Sequence, residues 1–300
     1  MKTVTQAFDA LRQNLELTDR QREAAGAQHT RVRERLRTMP AYQTDFLTGS
    51  YKRRTAIRPL KDIDFFVVLA LAKSFWDDRP TDRPTNVLDR LHRAMDRAWP
   101  TKGKPKRQTR SINIDFSSTE IGFDAVPAVE RAGGGYWIPD RDQDAWIATN
   151  PKKHEEVLIA ANEKAGGRLN PLIKMVKRWR RELKLRGIDA PFSSFHLEAL
   201  ACQRYTGWAA ASPPASLPAG VADLFDHLAR KIQDTCPDPG GVGPALDAGM
   251  TGSQRNQAVG LLGRAASTAQ DALRLDAQGQ ISAAHQRWVT LFGNDYHYRT

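Results

Sequence analysis

The chain has 300 residues, 45 of them Lys or Arg and 34 Asp or Glu, for a formal charge of +11. A hydrophobic share of 40% with ordinary Gly and Pro excludes wholesale disorder, and the length is enough for a sizeable core and two domains. Two cysteines, Cys202 and Cys236, exclude a disulfide framework and a cysteine zinc set. No apolar run is long enough to cross a bilayer, and the N-terminus has no apolar core followed by a cleavage site, so a soluble cytoplasmic protein is expected. The positive balance favours polyanions: nucleic acid, nucleotides or an acidic partner.

Val4, Phe8, Leu11 and Leu15 recur at helical spacing. "TDRQ" at 18–21 is a capping box that restarts a mostly polar helix running to about Met39, before Pro40. Residues 61–72 read as a buried strand, and "DRPTNVLDRLHRAMDRAW" as an amphipathic helix with Val87, Leu88, Leu91 and Met95 inward. "TKGKPKRQTR" reads as a basic turn, "SINIDFSS" and "EIGFDAV" as a pair of alternating strands, and "RAGGGYWIP" as a Gly-rich loop. From Asn150 the character changes. Asn150 and Pro151 open a helix as N-cap and first residue. Leu169, Leu172, Ile173, Val176, Trp179 and Leu183 then form one helical face. Residues 193–208 and 221–235 read as further helices, and two more close the chain. The expected organisation is mixed α/β over 1–150 and nearly all α over 151–300.

Asp62 and Asp64 sit at the mouth of the buried strand, one residue apart. Side chains alternate along a strand, so both carboxylates point to one face. Adjacent carboxylates repel and hold their protons more tightly unless a cation lies between them, and a hard divalent ion such as Mg²⁺ removes the conflict. A two-metal site needs a further carboxylate from a neighbouring strand, for which Asp124 and Asp115 both qualify. Ser50 stands eleven intervening residues ahead of Asp62 and follows Gly49, whose lack of a side chain lets backbone N–H groups approach a phosphate.

"TGSYKRRTAIRPLKDIDFFVVL", "GFDAVPA", "NPLIKMVKRW" and "PFSSFHLEAL", in this order between Thr48 and Leu200, resemble the polymerase β-like nucleotidyltransferase superfamily. Within it they are similar to the oligoadenylate synthetase and cGAS branch, and most to its bacterial members, the CD-NTases of antiphage signalling. The resemblance implies a nucleotidyltransferase core with a mixed sheet, an N-terminal helix across it, a C-terminal helical lobe and a two-lobed cleft. It implies Asp124 as the third carboxylate, which leaves Asp115 a surface or supporting residue. Asp62, Asp64 and Asp124 would hold two Mg²⁺ ions, with Mn²⁺ an alternative, and carry the catalysis. Gly49, Ser50, Lys177, Ser193, Ser194 and Phe195 would bind nucleotide: Lys177 and Ser194 at the triphosphate, Phe195 stacked on a base. Ser193 is equally readable as a plain helix cap, and Phe195 as a core aromatic.

The implied activity is synthesis of a cyclic di- or trinucleotide messenger from ATP and other nucleoside triphosphates, with release of pyrophosphate, in antiphage (CBASS) defence. A linear or tRNA-end nucleotidyltransferase on the same core is the rival activity, and a nucleic-acid-binding protein with a dead site a third class. The resemblance further implies a HORMA-type accessory partner and an isolated monomer. No His/Cys cluster marks a zinc insertion, so a double-stranded DNA activator of that kind is not expected. The basic stripe of residues 174–186 reads as a solvated face. His196, His227, His285 and His297 read as surface or cap residues, and Gly133–Gly135 as an ordinary connection rather than a phosphate loop.

Overall fold

The computed structural model describes residues 1–99, 104–116, 121–206 and 211–299. Residues 101–103 of the expected basic turn, 117–118 and 120 of the expected strand pair and 207–208 of an expected helix lie outside these. The chain divides into two units: 17–155 with 240–244, and 1–16 with 156–239 and 245–300. The second boundary falls close to the expected cut at 150. The first sixteen residues do not join the sheet-bearing unit, however. Helix α1 (Val4–Leu15) carries Phe8, whose ring meets the edges of Trp288, Phe292 and Tyr296 in the helical unit.

The sheet-bearing unit opens with α2 (Asp19–Leu36), capped by the expected reciprocal Thr18–Gln21 box. The helix is polar apart from a narrow stripe, and Ala25, Val32 and Leu36 of that stripe join the core. Strands β1 (Tyr42–Leu47) and β2 (Asp62–Leu69) flank the one-turn helix α3 (Gly49–Lys52). After α4 (Pro84–Ala98) come β3 (Lys106–Arg107), β4 (Ile112–Phe116), β5 (Ile121–Glu130), β6 (Tyr136–Asp140) and β7 (Ala145–Thr149).

The strands order as β1-β2-β5-β4-β3, and β6 continues from β5 to β7. Among the described residues only β2 and β5 run parallel; the other pairs are antiparallel. Ile63, Phe65, Val67 and Leu69 face one core with Val87, Leu88, Leu91 and Met95 of α4. Phe66 and Val68 face a second with Tyr136 and Ile138. Burial on both faces explains the unbroken apolar run of β2.

The tail of the expected Gly-rich loop is strand. Gly134 and Gly135, both at positive φ, turn the chain, and Tyr136–Asp140 pairs back onto β5. Pairing partners decided this, since "YWIPD" is too short to show a period.

The helical unit contains α6 (Leu169–Leu185), α7 (Ser194–Tyr205), α8 (Leu217–Lys231), α9 (Gly252–Ala277) and α10 (Ile281–Phe292), besides most of α5 (Pro151–Lys164). Asn150 caps α5 as expected, its Oδ1 accepting from the Lys153 N–H at 3.1 Å. The basic stripe of α6 is solvated only in part: Lys184 and Arg186 are exposed, but its first members are not. Lys174, Lys177 and Arg178 are buried, the first two each beside a carboxylate and the third beside two, and Arg180 donates to the Phe192 carbonyl at 2.8 Å. Three of the four histidines expected at the surface are also core residues: His196, His227 and His285 are at most 8% exposed. His285 bridges the Tyr296 hydroxyl and the Lys2 carbonyl, contacts no local pattern predicts. Among the described residues no helix is long and apolar enough to cross a membrane.

Candidate active site

Strand register builds the site. In the parallel β2–β5 pair Asp64 stands beside Asp124 and Asp62 beside Gly122. In the antiparallel β5–β4 pair Asp124 stands beside Asn113 and Gly122 beside Asp115. Two rows therefore cross three strands on one face: Asp62, Gly122, Asp115, and next to it Asp64, Asp124, Asn113. Asp62, Asp64 and Asp124 are thus brought together as the sequence reading required. Asp115 joins them on the same face, where it pairs with Lys106 at 2.9 Å and stays 57% exposed at its side chain.

Both glycines are dictated by these carboxylates. A Cβ on Gly122 would stand 2.5 Å from Asp62 Oδ1, 2.9 Å from Asp115 Oδ1 and 3.2 Å from Asn113 Nδ2. A Cβ on Gly49 would collide with the Asp64 carboxylate, and Gly49 also holds φ +65. The Thr48 N–H donates to the Asp64 carbonyl at 2.9 Å, which ties the Gly49–Ser50 turn to the catalytic strand.

The electrostatics match the geometry. Burial pushes Asp124 up to about 6, and the charges of Asp64, Asp62 and Asp115 add to that rise against one opposing hydrogen bond from Asn113. Asp62 is raised too, by partial burial and then by Asp115, with Lys61 and an Asn113 hydrogen bond opposing. The carboxylates do not close into a cage: among the described residues no three His, Cys, Asp or Glu side chains meet as a ready ligand set. The donor chemistry nevertheless fits a hard divalent ion. Carboxylate oxygens crowd one face, hold their protons too tightly, and lose that conflict when a cation neutralises them.

Asn113 is the residue that sequence reasoning missed. Its side chain is on the same strand face as Asp115, which the alternation of "INID" shows, but its place beside Asp124 follows only from the register. Among the described residues, a cavity of about 410 Å³ includes Asp62, Asp115, Lys61 and Gln21 in its lining. Another of about 470 Å³ lies along the edge strand β1 and includes Thr48, Lys52, Arg53 and Arg33, but none of Asp62, Asp64 and Asp124. Of these two, the smaller reaches the carboxylate face.

In the helical unit Ser193 caps α7, its Oγ accepting from the His196 N–H at 3.0 Å. Ser194 and Phe195 are half-buried, and the core aromatic of this segment is Phe192, stacked on Trp179. Lys177 does not extend into solvent: it is 8% exposed and its Nζ pairs with the Glu198 carboxylate.

Comparisons with known proteins give the family and the fold. Residues 1–162 match the Second Messenger Oligonucleotide or Dinucleotide Synthetase domain, and the chain belongs to that family. Its fold is that of the bacterial CD-NTases, with a polymerase β-like core. The chain is 33% identical to a cyclic AMP-AMP-AMP synthase of Acinetobacter over 198 residues, 63% of this chain and 51% of that protein, so the match spans about half the relative's length. Escherichia coli CdnC, solved with ATP, superposes with a TM-score of 0.76 at 17% identity over 98% of both chains; the same protein has been solved in a HORMA complex. Vibrio cholerae DncV, a cyclic AMP-GMP synthase solved with the linear intermediate pppA(3′,5′)pG, gives 0.76 at 15% identity over 99% of this chain and 98% of its own.

Proposed function

We propose that this protein is a metal-dependent synthase of a cyclic di- or trinucleotide messenger, made from ATP and other nucleoside triphosphates. The observation that carries the reading is the carboxylate face: Asp62 and Asp64 one residue pair apart on β2, Asp124 beside Asp64 on β5, and Gly49 against Asp64. Asp62, Asp64 and Asp124 are the residues that hold two Mg²⁺ ions, or Mn²⁺. When bound, such ions lower the pKa of a ribose hydroxyl and neutralise the donor phosphates.

The acceptor hydroxyl oxygen forms a bond to the donor α-phosphorus, the bond from that phosphorus to the bridging oxygen breaks, and pyrophosphate leaves. Asp124, on the same face, would help take the hydroxyl proton. Repeating the step within the product closes the ring. Gly49 and Ser50 contact donor phosphates through the turn. Lys177 and Ser194 serve the triphosphate, Lys177 by exchanging Glu198 for a phosphate oxygen. Ser193 fixes the start of α7, and half-buried Phe195 offers a ring face to a base. The names of the relatives support cyclic products, and the HORMA complex of CdnC supports an accessory protein of that kind. A place in cytoplasmic antiphage (CBASS) signalling rests on the family resemblance alone.

The test is to incubate the enzyme with the four triphosphates and Mg²⁺ without RNA, then treat the products with phosphatase. Phosphatase-resistant oligonucleotides establish ring closure. Products degraded to nucleosides and linear cores would assign the chain to linear polymerisation instead.

A further inference from the structure

Asn113 is 6% exposed and ends the row Asp64, Asp124, Asn113 on the carboxylate face. Its Nδ2 donates to Asp124 Oδ1 at 2.9 Å. An ionised carboxylate only accepts, so the nitrogen of the carboxamide must face Asp124. A Cβ on Gly122 would stand 2.5 Å from Asp62 Oδ1 and 3.2 Å from Asn113 Nδ2, so the amide and the Asp62 carboxylate approach the same glycine from the two strands that flank it. One neutral amide therefore holds Asp124 of β5 and lies close to Asp62 of β2.

We infer that Asn113 is a positioning residue for the metal-binding carboxylates, a role that rests on the metal-dependent reading above. A lysine here would neutralise the acids and compete with the ion for them, whereas an apolar side chain would leave them repelling without a donor. A buried position also excludes water from doing the same work. The amide keeps Asp62 and Asp124 on one face, occupies part of their acceptor capacity and leaves the rest for a cation. Outer partners of this kind change metal affinity by about 10- to 100-fold when removed. Gly122 belongs to the same device, since a side chain there would part Asp62 from Asn113.

The test compares the wild type with Asn113→Leu, Asn113→Ser and Asn113→Asp. Mn²⁺ affinity is measured by calorimetry with a non-hydrolysable ATP analogue, and the Mn²⁺-induced rise in melting temperature without nucleotide. Asn113→Leu is expected to bind Mn²⁺ about 10- to 100-fold more weakly, with turnover partly recovered as metal is raised. Asn113→Ser, which keeps one donor, should fall between. Asn113→Asp preserves the shape but replaces the donors with acceptors, so its metal-free melting point should drop and its Mn²⁺-induced rise should exceed that of the wild type. Asn113→Ser, which adds no charge, decides the matter where Asn113→Leu does not fold. Wild-type Mn²⁺ affinity in the folded variants would overturn the positioning role alone. Turnover persisting in Asp62→Asn with Asp64→Asn would overturn the metal reading beneath it.

Discussion

The β-sheet face and helix α6 treat charge in opposite ways. On α6 each buried cation stands beside a carboxylate: Lys174 with Glu16 at 2.6 Å, Lys177 with Glu198, and Arg178 with Glu182 at 2.8 Å and with Asp295. On the sheet, Asp124 is surrounded by Asp64, Asp62 and Asp115, and its neutral contact is one amide. Acids crowded on one face raise one another's proton affinity, while a cation beside a carboxylate in a core is locally balanced. The difference teaches where to look for function. A face where acids from neighbouring strands crowd together is a place to look for a cation from outside the chain.

The comparison breaks first at the carboxylates. Asp62→Asn with Asp64→Asn should reduce nucleotide turnover to background, while the metal-free melting temperature holds or rises because two repelling charges are gone. Asp124→Asn should also abolish turnover and Asp115→Asn should not, which initial rates with radiolabelled ATP would separate.

The opposite response is expected on α6. Glu198→Ala leaves the Lys177 ammonium buried beside an empty place and should cost about 3–5 kcal/mol in urea unfolding, the range for removing one partner of a buried pair. Replacing both at once, Lys177→Met with Glu198→Leu, should recover most of that loss. Equal losses in the single and double variants would show that the pair is not what balances this charge.

Asp124 sharpens the contrast through pH. Its folded-state pKa, about 6, lies above the ordinary carboxylate value near 3.8, so between the two the native state holds the proton and the unfolded chain does not. Its contribution to stability is therefore complete below about pH 4 and is lost as pH rises through 6. The loss amounts to about 3 kcal/mol at 1.36 kcal/mol per unit. Metal-free melts from pH 4 to 7.5 should show this slope in the wild type and less of it in Asp124→Asn, and Mg²⁺, by favouring the ionised carboxylate, should flatten it between about pH 4 and 6.

Phe195 gives the smallest effect. Phe195→Ala should weaken ATP binding by roughly 1–3 kcal/mol, as for a base–aromatic stack, and Phe195→Tyr should keep it. The nucleotide-free melt should change little, because the ring is only half-buried. A large drop in that melt, with the ATP-induced shift intact, would return Phe195 to the core.

Much of the site was legible in the residues. The Gly-Ser turn, the Asp-x-Asp strand and the later Asp124 carry their own constraints: alternation puts Asp62 and Asp64 on one face, and only glycine tolerates the φ and the crowding at position 49. The capping boxes and the apolar faces of α4 and α6 were equally local, since a helix repeats its contacts every three or four residues. Local pattern could not choose between Asp115 and Asp124; the resemblance made that choice, and the register shows both on the carboxylate face, with Asp124 between Asp64 and Asn113.

Tertiary structure alone decided the rest. Asn113 reads as an ordinary polar residue in an alternating strand until the register sets it beside Asp124. Lys174 and Arg178 read as solvated because partners that bury them lie far away in sequence. Glu16 is on the far side of the whole sheet-bearing segment from Lys174, and Asp295 is at the end of the chain from Arg178. Helix α1 joined the helical unit for the same reason, through Phe8 and the aromatic side chains after residue 287. Periodicity determines which face of an element is apolar or charged; which distant group meets that face depends on how the elements pack, and no window of sequence contains it.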